Sequence, residues 1–107
     1  MAEDKIIAEK DGHLGRLIFN NPEKHNAMSL AMWGYLADTM EMFDADDDVR
    51  VVVLEGAGER AFVSGADISK FESERADPDR IKEYGIAVNR GYESLQHAST
   101  PTIAKIR

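Results

Sequence analysis

Three observations predict an α/β fold. Residues 49–54 (VRVVVL) form a nearly continuous β-branched run, the pattern of a parallel-sheet strand covered on both faces. Two longer stretches carry apolar residues at helical spacing, and short strand-like runs stand near both ends of the chain. Read in order, the elements are β-β-α-β-α-α-β, with the last strand at a sheet edge.

The first two strands are residues 5–10 (KIIAEK) and 14–20 (LGRLIFN), joined by Asp11-Gly12-His13, a turn signal that predicts a hairpin. Residues 20–27 (NNPEKHNA) are polar and open with breakers, so they read as a loop. Ser29 is an N-cap candidate. Met32, Leu36, Met40 and Phe43 follow it at spacings of four, four and three, a single apolar stripe that Trp33 widens. The helix should fade in the short acids of residues 44–48. Beyond the third strand, residues 55–60 are a loop, and Asp67 is an N-cap candidate for a short helix at residues 68–71. Ala76-Asp77-Pro78-Asp79 starts a further helix, with Pro in its first turn. Its expected apolar face is Ile81, Tyr84, Val88, Tyr92 and Leu95, weakened by Gly85 and Gly91. Thr100-Pro101 ends it, and residues 102–107 (TIAKIR), from Thr102 to Arg107, read as a strand.

The 107 residues suit one domain or part of one. A 43% hydrophobic fraction allows a modest core, and 31% charged residues argue for a solvated surface. Twenty acids against 13 bases give a net charge of −7, which disfavours a nucleic-acid partner because phosphate binding needs a basic face. With no cysteine there is no disulfide and no thiolate nucleophile. The first residues lack a signal-peptide layout and no apolar run suffices to span a membrane, so the expectation is a cytoplasmic protein with no membrane partner.

Two tempting motifs fail. Asp44, Asp46, Asp48 and Glu55 occupy positions 1, 3, 5 and 12 of a calcium loop, but Val49 stands where that loop needs Gly, and the VRVVVL strand cannot also wrap an ion. No metal is expected. Around Ser64 a nucleophile elbow would need glycines at 62 and 66, where the chain has Phe62 and Ala66.

AFVSGADISKF, residues 61–71, holds more promise. Gly65 permits unusual dihedrals and close approach of a ligand. If Asp67 caps a helix, Ala66 offers its N–H just ahead of a helix N-terminus, where the dipole favours developing negative charge. That is half of an oxyanion hole, although an ordinary strand-to-helix turn of small residues would look the same.

Three segments give the chain a family resemblance: FNNPEKHNAMS (19–29), VRVVVLEGAGERAFVSGADISKF (49–71) and STPTIAKIR (99–107). In this order and separation they resemble the N-terminal part of the crotonase, or enoyl-CoA hydratase/isomerase, superfamily. The resemblance implies the crotonase-like (ClpP/crotonase) spiral fold built from ββα units, with residues 1–107 truncated before a glycine-rich catalytic segment. It implies that the Ala66 N–H is one of two oxyanion donors to a CoA thioester. Gly65, Asp67 and Ile68 would line the substrate beside it, and Lys24, His25 and Ala27 would border the folded CoA. It further implies enoyl-CoA hydration or a related reaction such as isomerisation, with coenzyme A as part of the substrate and no separate cofactor. The remainder of the domain would be a partner, and a homo-trimer or hexamer the assembly. The second donor and the catalytic acids, usually Glu, match nothing in residues 1–107. The resemblance puts them beyond Arg107, so the chain alone is expected to be inactive. A CoA-binding or assembly module without catalysis, or a remnant without ligand, would fit the same absence.

Overall fold

A computed structural model describes residues 5–65 and 77–106. Strands β1 (Ile6–Asp11) and β2 (Leu14–Phe19) form the expected hairpin, pairing Asp11 with Leu14 across a two-residue turn in which Gly12 has φ +62°. Helix α1 (Leu30–Ala45) then carries the chain to β3 (Val51–Gly56), and α2 (Pro78–Gln96) precedes β4 (Thr102–Lys105). The sheet order is β1-β2-β3-β4, with β2, β3 and β4 parallel and β4 at the edge.

Side-chain alternation sets the core. Leu17 and Phe19 of β2 and Val52 and Leu54 of β3 point to one sheet face and are buried. Met32, Leu36, Met40 and Phe43 of α1 close over them, with Met28 and Val49 at the ends. All four helix residues belong to the stripe read from spacing, and each is at most 2% exposed. Ser29 caps the helix, its hydroxyl accepting from the Met32 N–H at 3.3 Å. At the other end Asp46 accepts from the Asp48 N–H and from Lys10 Nζ, both at 2.9 Å, which turns the chain into β3.

Three expectations need correction. Among the described residues, strand β3 is buried on one face and half-buried on the other. Val52 and Leu54 are buried under α1, whereas Val51, Val53 and Glu55 on the opposite face are half-buried. That second face holds an ion pair: Arg16 donates to Glu55 at 2.7 and 3.2 Å and to Glu9 at 2.9 Å.

The last strand is shorter than its reading over residues 102–107. Strand β4 stops at Lys105, which pairs with Glu55, one residue before the end of β3 at Gly56. Ile106 beyond it is 71% exposed, and Arg107 lies outside the described residues.

Helix α2 also differs from its reading. Asp77 caps it through the Arg80 N–H at 2.9 Å. Its apolar stripe, however, is not a buried face: Val88 and Leu95 are half-buried, while Ile81 is 48% and Tyr92 57% exposed. The reason is that α2 packs on α1 rather than on the sheet. Gly91, the one fully buried residue of α2, lies under Trp33, and a Cβ there would come within 2.5 Å of Trp33 Cε3. Arg90 beside it donates to Asp38 at 2.7 Å and Glu41 at 3.0 Å. After α2 the Asp44 carboxylate accepts from the N–H groups of Ser99 and Thr100, each at 3.1 Å, and so holds the turn into β4.

These contacts give two predictions. Gly91→Ala should lower stability by about 1–2 kcal/mol through overpacking against Trp33, although alanine is the better helix former. Gly85→Ala, whose Cβ would meet nothing within 4 Å, should raise it by roughly 0.5–1 kcal/mol. Urea unfolding of both variants checks the opposite signs. The second concerns pH. Burial pushes the Asp44 carboxyl up, but hydrogen bonds from the Thr100 side chain and the Ser99 and Thr100 N–H groups outweigh it and hold it below the ordinary value of 3.8. Stability from its charged form is therefore complete above that value and is lost as pH falls through the lower folded one. Asp44→Asn should cost roughly 1 kcal/mol at neutral pH. The gap from the native chain should stay flat down to about pH 5 and close below about pH 4. Thermal unfolding across that range measures it.

Candidate functional site

Two loops meet at the ends of β2 and β3 that point toward residues 20–29 and 57–65. In a parallel arrangement such strand ends are where ligand-binding loops gather. The first loop begins with a single 3-10 turn, Pro22–Lys24, and then reverses at His25 (φ +53°) and Asn26 (φ +60°). Left-handed backbone at two successive non-glycine residues is uncommon, and asparagine tolerates it because its amide bonds locally.

Asn26 explains how the turn is kept. Asn26 is 1% exposed, and its side chain bonds to backbone groups of both loops. Oδ1 accepts from the Asn21 N–H at 2.9 Å, closing the first loop on itself. Nδ2 donates to the carbonyls of Ala57 at 3.0 Å and Ala61 at 2.7 Å, tying on the second loop. Gly56 makes room, because a Cβ there would lie 2.7 Å from Asn26 Nδ2 and 2.6 Å from the Phe62 carbonyl. Asn21, also buried, donates from Nδ2 to the Ala27 carbonyl at 3.0 Å and accepts from Lys5 Nζ at 3.3 Å.

From there the loops run side by side. The Ser64 N–H donates to the His25 carbonyl at 3.1 Å, Ser64 Oγ to the Lys24 carbonyl at 3.2 Å, and the Met28 N–H to the Gly65 carbonyl at 2.7 Å. Phe62 packs edge-on against Phe19, ring centroids 5.4 Å apart, and anchors the second loop to the core. Gly65 itself is exposed with φ +136°, a conformation that side chains resist.

The residues expected at the site fare differently. Gly65 has the unusual dihedral anticipated from its sequence context. Lys24 and His25 are exposed on the loop surface. Ala27 is buried, its N–H donating to the Lys24 carbonyl at 3.1 Å, so its role here is inside the loop. Ser64 uses its hydroxyl as a loop tie. Ala66, Asp67 and Ile68, with the short helix expected at 68–71, lie outside the described residues. So does Arg107, the residue beyond which the second donor and the catalytic acids are expected. Asp44, Asp46 and Glu55, three positions of the rejected calcium loop, are committed to the α2–β4 turn, Lys10 and Arg16.

Asn21 and Asn26 were read only as loop residues. The available signal was two asparagines flanking a Pro-initiated turn, which marks side chains able to cap backbone. Their distant partners leave no mark on the sequence.

Two hollows flank the paired loops. A cleft of about 540 Å³ is bordered by Glu23, His25, Asn26, Glu59 and Arg60. An apolar groove of about 320 Å³ lies on the other side, between Met28, Val63 and Gly65 of the loops and Trp33, Tyr84 and Val88 of the helices.

Comparison with known proteins agrees with this architecture. The family model described as enoyl-CoA hydratase/isomerase matches residues 9–107. A crystal structure of an enoyl-CoA hydratase/carnithine racemase from Magnetospirillum magneticum superposes with a TM-score of 0.90 at 35% identity, covering 96% of this chain and 39% of that one. An enoyl-CoA hydratase/isomerase family protein from Hyphomonas neptunium gives 0.91 at 30% identity, with the same coverage of 96% and 39%. The short-chain-enoyl-CoA hydratase of Clostridium acetobutylicum is 30% identical over 106 residues, 99% of this chain and 40% of the relative. The chain thus spans about 40% of the length of the relatives it matches, and that portion has the crotonase fold. It belongs to the enoyl-CoA hydratase/isomerase family.

Proposed function

We propose that this chain supplies the thioester-binding part of an enzyme acting on acyl-CoA, with hydration of 2-enoyl-CoA as the reaction of the intact protein. One observation carries the reading: Gly65, at φ +136°, has its carbonyl committed to the Met28 N–H at 2.7 Å. We assign the donor role to the backbone N–H of the next residue in the chain. Ala66 is the residue that would own it. A backbone N–H beside a small side chain suits an oxygen that gains charge.

That is what thioester chemistry requires. The α-carbon of a thioester is weakly acidic, and adding water across its neighbouring double bond passes through an enolate-like state. A fixed donor aimed at the thioester oxygen stabilises it, typically by a factor of about 10²–10³ in rate. Asp67 and Ile68 continue the segment beside the thioester, while Lys24 and His25 face the CoA from the first loop. The second donor and the acids that move protons come, in this reading, from polypeptide corresponding to the remaining length of the relatives, assembled as a trimer or hexamer. Isomerisation of the double bond uses the same oxygen stabilisation, and the placement of those acids decides between the two reactions.

Two outcomes test the reading. Residues 1–107 alone should bind crotonyl-CoA and leave its conjugated thioester absorbance unchanged with time. Hydration by the isolated chain would overturn the division of labour. Gly65→Val should relax the backbone away from its positive φ, a strain of about 1–3 kcal/mol, and weaken crotonyl-CoA about tenfold relative to free CoA. Calorimetry with both ligands gives the ratio, and an unchanged ratio would count against a thioester contact at this residue.

A further inference from the structure

Asn26 stands within a closed circuit of contacts. The second loop is fixed to β2 at two points: the Ala57 N–H donates to the Phe19 carbonyl at 2.8 Å, and Phe62 packs on the Phe19 ring. Its far end, Ser64 and Gly65, is held by the first loop, through the Lys24 and His25 carbonyls and the Met28 N–H. Residues 24–28 can hold that end in place only if they are themselves tied to the base of the second loop. Asn26, in the middle of them, makes this tie: Nδ2 donates to Ala57 at 3.0 Å and to Ala61 at 2.7 Å.

The circuit suits one kind of side chain. Two carbonyl oxygens call for a group with two hydrogens to donate, and the Asn21 N–H calls for an acceptor on the same short side chain. An amide of asparagine length meets both. A carboxylate would set negative charge against two carbonyls at a residue only 1% exposed. Glutamine is one methylene too long for a space in which a Cβ at Gly56 would already lie 2.7 Å from Nδ2. Resting on the acyl-CoA reading above, we infer that Asn26 is a positioning residue for the thioester. Its amide fixes residues 24–28, these fix Ser64 and Gly65, and preference for a thioester over free CoA depends on its donor hydrogens.

The test compares the native chain with Asn26→Asp and Asn26→Gly. Free CoA and crotonyl-CoA are titrated by calorimetry, and amide exchange at Ser64 and Met28 is followed by NMR. Asn26→Asp keeps the shape and the acceptor but removes the donor. At about pH 7.5 it should lower the ratio of crotonyl-CoA to CoA affinity about tenfold, the effect of one unmet buried polar group, and both amides should exchange faster. Burial raises the pKa of the new carboxyl, and its protonated form donates again, so the ratio should recover as pH falls toward about 5. Glu23, Lys24, His25, Glu59 and Arg60 border or belong to the same loops, and Lys5 bonds Asn21, so the native chain is titrated over the same range and compared at each pH. Asn26→Gly adopts a φ of +60° without strain, which protects the fold, yet it should lose the ratio at every pH. Asp44→Asn, which loses stability at the α2–β4 turn, should keep it. A native ratio in Asn26→Gly, no recovery of Asn26→Asp at low pH, or an equal loss in Asp44→Asn overturns the positioning role and leaves the thioester reading standing. A native chain that binds crotonyl-CoA no better than CoA overturns both, even where the two amides exchange faster.

Discussion

The described structure depends most on one buried amide. Asn26 joins two loops from its buried side chain, donating to Ala57 and Ala61 while accepting from Asn21. Buried polar groups are expensive unless satisfied, and here both ends of the amide are engaged. The left-handed backbone at His25 and Asn26 is the conformational cost of aiming the side chain inward. Once Asn26 is in place, the backbone bonds from Ser64 to His25 and from Met28 to Gly65 follow along the same seam. Gly56, with carbonyl oxygens and this amide crowded against its Cα, belongs to the same constraint.

Polar groups elsewhere do local work of a similar kind. With 20 acidic residues in 107, the chain is rich in short carboxylates, and several end or connect elements. Asp46 turns the chain after α1, Asp77 starts α2, and Asp44 joins the end of α2 to the start of β4. The Asp cluster that mimics a calcium loop is thus explained by backbone N–H groups that helix ends and turns leave without partners.

What was legible in the sequence is local. Ser29, Met32, Leu36, Met40 and Phe43 specify α1 by spacing and capping within fifteen residues, and the structure buries all five. The hairpin, the parallel central strand and the edge position of β4 were legible for the same reason. Apolar pattern, however, identifies which residues avoid water and not what covers them. It therefore overstated the cover on β3 and misjudged α2, whose buried residue is Gly91, a residue that propensity treats as a weakness. The end of β4 was misjudged likewise, since an apolar run does not mark where pairing with a neighbour stops. At the site, Gly65 was legible through its conformational freedom. Asn26 was not, because its partners lie 31 and 35 residues away and such pairing leaves no periodic trace.

That separation also sets the order of events when the chain folds. Closing a long loop costs entropy before any contact returns it, so non-local pairs form late. The α1 turn and the β1–β2 hairpin are local, whereas the Asn26 seam can form only after α1 has brought β3 beside β2. Much of the seam is exposed, with Lys24, His25, Ser64 and Gly65 at the surface. The paired loops are thus the last part to assemble and the first to open, and their amide protons exchange well before those of β2 and α1.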